Sequence, residues 1–114
     1  MNMGEEIKVV IQGKDVVVEP AGDIDLSRSP GLRTTLREAQ AKKPARLIVD
    51  LTAVDYMDSS GVATLVEALQ IARRNSTTMV LCGLKDRVRS IFEIARLDTV
   101  FTIAPSREAA LSAP

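Results

Sequence analysis

The sequence has no histidine and no tryptophan, a single cysteine (Cys82), one tyrosine and two phenylalanines. Each absence removes a class of chemistry. Without histidine there is no Ser-His-Asp or Cys-His nucleophilic arrangement and no histidine-containing metal site. One cysteine can form neither an internal disulfide nor a thiolate zinc site, which fits a reducing cytoplasm. No G-x-x-x-x-G-K-[ST] loop or G-x-G-x-x-G fingerprint offers to cradle a phosphate or a dinucleotide. No apolar run reaches the roughly 18 residues of a membrane-spanning helix. The opening Met1-Asn2-Met3-Gly4-Glu5-Glu6 is polar and acidic, unlike a secretory signal. An excess of one charge is missing too: 15 Lys and Arg balance 15 Asp and Glu, so the net charge does not favour a nucleic-acid surface. The expectation is a cytoplasmic protein that is not an enzyme, carries no metal or cofactor, and inserts in no membrane.

The 114 residues, 46% of them apolar, suit a single domain over 1–114 with one ordinary core. Ile7 to Ile11 and Val16 to Val18 are β-branched runs around the turn residues Gln12-Gly13-Lys14-Asp15, which predicts an N-terminal β-hairpin. The second strand should run on towards Pro20 and Gly22 and end or bend there. Ser29-Pro30 reads as a helix start capped by the serine. Leu32, Leu36 and Ala39 continue the helix, and Lys42, Lys43 and Pro44 close it. Leu47-Ile48-Val49 and Met79 to Cys82 read as strands buried on both faces. Between them, Val62 to Arg74 carries apolar residues at helical spacing. Asp86 opens a third helix with Val88, Ile91, Phe92 and Ala95 inward. Val100 to Ile103 is a last strand, and Ser106 caps a final helix, Arg107 to Leu111. Such alternation predicts an α/β fold: a mixed, mostly parallel central sheet of four to five strands with about four helices. Val49, Leu65, Val66, Leu69, Leu81, Ile91 and Phe92 are expected to share its core, and Cys82 to be a small core residue.

One segment carries chemistry. Leu47-Ile48-Val49-Asp50-Leu51 leads through Thr52-Ala53-Val54 and Asp55-Tyr56-Met57 into Asp58-Ser59-Ser60-Gly61-Val62. A helix start exposes unpaired N–H groups and about half a positive charge, so an added anion is stabilised there. A phosphoserine brings about −1.5 to −2 charges. Asp and Ser are also the commonest helix caps, so plain capping explains the same residues. An aspartic-protease D-[ST]-G reading fails, because a second serine intervenes and no partner motif exists. A serine nucleophile would lack its base.

The stretch from Leu47 to Leu69 resembles the signature region of STAS-domain anti-sigma-factor antagonists: an apolar strand ending in D-L, a short turn, then F/Y-M-D-S-S-G, here Tyr56-Met57-Asp58-Ser59-Ser60-Gly61. Gly22-Asp23-Ile24-Asp25 resembles the family's G-x-[LI]-D element at the end of the second strand. Met79 to Gly83 and Arg89-Ser90-Ile91-Phe92 also match the pattern. The resemblance implies a bacterial STAS fold and a phosphorylation-controlled partner switch in transcription regulation. It implies that Ser60, the second serine, is the phosphorylation site, with Asp25, Asp58, Ser59 and Gly61 on the partner-binding surface. The implied partners are an anti-sigma factor that is also a GHKL-type serine kinase, and a serine phosphatase that resets the switch. The unphosphorylated chain would bind the kinase and free sigma. The alternative within the same fold is the STAS accessory subunit of a bacterial lipid-transport ABC system, which needs no phosphoserine. A stressosome-like scaffold would normally carry a further N-terminal domain.

Overall fold

In the computed structural model of the protein, residues 7–114 are described. The hairpin forms as expected: β1 (Lys8–Gln12) and β2 (Asp15–Glu19) pair antiparallel, from Lys8 opposite Glu19 to Gln12 opposite Asp15. Gly13 adopts φ +64° in the two-residue turn, a region that costs glycine little. The chain continues through β3 (Gly22–Ile24), α1 (Ser29–Ala41), β4 (Arg46–Asp50), β5 (Val54–Met57) and α2 (Ser59–Arg74). Then follow β6 (Thr78–Cys82), α3 (Asp86–Ile94), β7 (Thr102–Ala104) and α4 (Arg107–Leu111). The main sheet has the order β1-β2-β4-β6-β7, with every pair after the hairpin parallel. A mixed, mostly parallel sheet and four helices therefore stand as the alternation implied.

Side chains alternate across the sheet, and both faces are apolar. Val16, Val18, Leu47, Val49, Met79 and Leu81 join Leu36, Leu65 and Phe92 of α1, α2 and α3 in one cluster. Val17, Ile48, Val80, Cys82 and Ala104 face the other way and pack against Ala110 of α4. Leu65 has no exposed surface, worth about 2 kcal/mol for a leucine removed from water. Phe92 and Phe101 meet edge to face at 5.5 Å.

Several expectations need correction. Residues 22–24 and 54–57 are not the tail of a strand and a turn. They are β3 and β5, which pair in parallel as a separate two-stranded sheet. Val66 and Ile91 are only half-buried against the core. Ala95 is exposed in the turn after α3, because that helix ends at Ile94. Val100 is exposed and precedes the last strand, which begins at Thr102. Ser29 is the first residue inside α1, not its cap. Ser106 does cap α4, accepting the Ala109 N–H at 3.1 Å.

Candidate functional site at the start of helix α2

The small sheet builds the site. Ile24 pairs with Met57, so β3 and β5 end side by side, and the next residue of each strand is an aspartate: Asp25 and Asp58. The Asp58 N–H closes the edge by donating to the Ile24 carbonyl at 3.0 Å. Asp58 then leaves the strand with extended backbone and becomes the N-cap of α2. Its Oδ1 accepts from the Ser60 N–H at 2.9 Å, a donor with no helical carbonyl in reach, and from the Gly61 N–H at 3.3 Å, which also donates to the Asp58 carbonyl at 3.1 Å. The same oxygen accepts the Ser60 hydroxyl at 2.6 Å.

Asp25 does for the other loop what Asp58 does for α2. Its Oδ1 accepts the Ser27 hydroxyl at 2.7 Å, the Ser27 N–H at 3.0 Å and the Arg28 N–H at 3.3 Å. Ser29 caps nothing: its own N–H donates to the Asp25 carbonyl at 2.9 Å, and the Leu32 N–H goes to the Arg28 carbonyl at 3.2 Å. The freed Ser29 hydroxyl reaches 2.9 Å to the Asp25 carbonyl and 2.7 Å to Ser60 Oγ. This cross-link spans 31 residues and ties the starts of α1 and α2 together. Nothing in the local sequence distinguishes such a serine from a cap.

Both carboxylates are held below the ordinary range. For Asp58 the main cause is the Ser60 hydroxyl, helped by the N–H groups of Gly61, Ser60 and Leu26 against partial desolvation. For Asp25 it is the Ser27 hydroxyl, with the charge of Asp58 opposing. At neutral pH the edge therefore carries two negative charges close enough to feel each other. Ser59 is exposed and Ser60 half-buried. Gly61 is buried, and its place is packing: a Cβ there would stand 2.5 Å from Met57 Cγ and 3.0 Å from Ile24 Cγ2. Leu26 and Tyr56, 74% and 39% exposed, flank the two aspartates in sequence. Among the described residues no group of His, Cys, Asp and Glu could hold a metal ion, and no helix is long and apolar enough to cross a membrane.

The STAS domain family matches residues 6–110 of the chain. The chain belongs to the STAS family. A curated STAS relative, the anti-sigma-B factor antagonist of Listeria monocytogenes, is 39% identical over 83 residues, 73% of each chain. Among solved STAS structures, an anti-sigma factor antagonist from Mycobacterium paratuberculosis superposes with a TM-score of 0.87 at 23% identity. That match covers 94% of this chain and 91% of the other. The Bacillus cell fate determinant SpoIIAA, solved in its phosphorylated form, superposes with a TM-score of 0.72 at 18% identity, covering 94% and 97%. These structural likenesses establish the STAS fold, and the sequence relatives are regulators named as antagonists of an anti-sigma factor.

Proposed function

We propose that this protein is a cytoplasmic anti-sigma factor antagonist whose grip on its partner is switched off by phosphorylation of Ser60. The observation that carries the assignment is the position of Ser60: a hydroxyl in the first turn of α2, bonded to the Asp58 carboxylate and linked through Ser29 to the Asp25 carbonyl. The names of the curated relatives support the antagonist role, and a phosphorylated STAS neighbour supports a fold that tolerates a phosphoryl group. The partner is an anti-sigma factor with serine-kinase activity of the GHKL type, and a serine phosphatase restores the free hydroxyl. Asp25, Asp58 and Ser59 form the polar part of the docking surface, and Gly61 lets the helix start sit close against β3 and β5.

The switch follows from charge. The kinase transfers the γ-phosphoryl group of ATP to Ser60 Oγ, ADP leaves, and the hydroxyl proton passes to a basic group of the kinase. The docking surface gains about two negative charges beside Asp25 and Asp58. A loss of ~3 kcal/mol at the interface weakens binding more than a hundredfold, with no refolding.

The test uses the cognate kinase. Ser60→Ala should bind it as the wild type does and take up no phosphate, because Asp58 still caps the helix through the backbone N–H groups. Ser60→Asp should fold, an acid being favourable at a helix N-terminus, and bind at least tenfold more weakly. In cells the two variants should leave sigma permanently active and permanently inactive. Phosphate found by mass spectrometry on Ser59 alone would overturn the residue assignment. No phosphate, with stable association to a transporter ATPase, would replace the switch by the lipid-transport reading.

A further inference from the structure

Three short oxygen contacts around Ser60 are served by only two hydroxyl protons. Ser60 Oγ lies 2.6 Å from Asp58 Oδ1 and 2.7 Å from Ser29 Oγ, which lies 2.9 Å from the Asp25 carbonyl. The carboxylate is the strongest acceptor of the set, so the Ser60 proton goes to Asp58. The Ser29 proton is then shared between the Asp25 carbonyl and Ser60 Oγ. Ser29 is 3% exposed, so on that side Ser60 Oγ points at a buried group. Once a phosphoryl group has replaced the Ser60 proton, the 2.6 Å contact would press an ester oxygen against a charged carboxylate with no proton between them. The two oxygens have to part. The resting contact between Ser60 and Asp58 therefore cannot persist in the phosphorylated residue.

We propose that Ser29 is a latch: its buried hydroxyl joins Asp58 in holding Ser60 in a retracted rotamer and so sets how readily Ser60 is phosphorylated. The proposal rests on Ser60 being the phosphorylated residue. Before transfer the side chain releases Asp58 and Ser29. Its Oγ then bonds to the γ-phosphorus of a nucleoside triphosphate, the bond to the β–γ bridging oxygen breaks, and the proton goes to a base of the kinase. Ser29 is a positioning residue and touches none of the reacting atoms. Release strands no buried group, because the Ser29 proton keeps the Asp25 carbonyl. That carbonyl also accepts the N–H groups of Arg28 and Ser29 at 3.0 and 2.9 Å, so removing the Ser29 hydroxyl orphans nothing.

The experiment pairs phosphorylation kinetics with the three-bond Hα–Hβ couplings of Ser60, using the full chain, its cognate kinase and ATP. In the wild type the couplings should report one rotamer. In Ser29→Ala, where Asp58 alone still holds the hydroxyl, they should move towards averaged values, and kcat/KM for phosphorylation should rise about two- to tenfold, the worth of one neutral hydrogen bond. Ser29→Thr, which keeps the hydroxyl, should restore both readings. If the alanine variant loses the fold, Ser29→Cys, with a weaker donor, should move both readings the same way. Unaveraged couplings in Ser29→Ala, or an unchanged or slower rate, overturn the latch. If the kinase binds the wild type but never phosphorylates Ser60, the functional reading fails, and the couplings alone decide whether Ser29 holds the rotamer.

Discussion

Asp58 combines two duties in one oxygen: it caps α2 through backbone N–H groups and orients the Ser60 hydroxyl. Each donor favours the charged carboxylate, so the folded pKa lies below the usual 3.8. The sign of the linkage follows. A carboxyl with a depressed folded pKa contributes stability above its unfolded pKa and loses it as pH falls through the folded value. Asp25, Asp55 and Glu67 are shifted the same way, by the Ser27 hydroxyl, Lys85 and Arg37 first. The protein should therefore lose stability below about pH 4, and Asp58→Asn should flatten that loss. Urea midpoints measured from neutral pH downward check it, and an unchanged slope would refute the role given to Asp58. Cys82 shows the opposite environment. Burial, helped by the charge of Asp50, pushes its thiol up to about 12. Since the thiolate is the reactive form, the folded protein should resist thiol reagents at pH 8, and labelling should appear only with unfolding.

At the scale of elements, the site depends on how closely α2 approaches β3 and β5. Gly61→Ala adds a methyl group where Met57 and Ile24 already stand. Overpacking should cost about 1–3 kcal/mol, offset by up to ~1 kcal/mol from better helix propensity. The net effect should be a lower thermal midpoint, and an unchanged or higher midpoint would mean that the helix start can shift without cost. These same elements mark the limit of legibility. The hairpin was readable because β-branched runs stand around turn residues, β4 and β6 because they are short continuous apolar runs, and α1 and α2 because apolar residues recur at helical spacing. β3 and β5 were not. They have three and four residues, and β5 has its two exposed residues adjacent, so it shows no period of two. Asp58 and Ser60 were visible as a motif, and resemblance supplied Asp25. The bond from Ser29 to Ser60 was invisible, because Ser-Pro reads locally as a cap and only tertiary structure brings α1 to it.

The whole molecule is unevenly covered. Three helices shield one face of the sheet, while the other rests on α4, five residues long. Val17, Ile48, Val80 and Cys82 have no exposure on that face, so α4 must be pinned. Arg107 at its start reaches Asp50 Oδ2 at 3.0 Å and also pairs with Glu19. Beyond its end, Arg46 Nε donates to the Ala113 carbonyl at 2.8 Å while its guanidinium pairs with Asp15. Each tie stands on the sheet face that α4 covers, whereas Ser60 belongs to the helical layer opposite. Holding the thin face closed and presenting the proposed switch residue should therefore separate. Ala110 is fully buried, and Ala110→Asp would force a carboxylate onto Val17, Ile48 and Val80, where an unpaired charge is strongly disfavoured. The expected result is local release of α4. Cys82 becomes reactive at neutral pH, a hydrophobic dye binds, and the proposed phosphorylation of Ser60 by a partner kinase is unaffected. Deleting residues 107–114 should expose Cys82 in the same way. If Cys82 stays protected in both variants, another part of the chain covers that face. If kinase binding is lost while circular dichroism stays native, the two faces are coupled and the separation argued here is wrong.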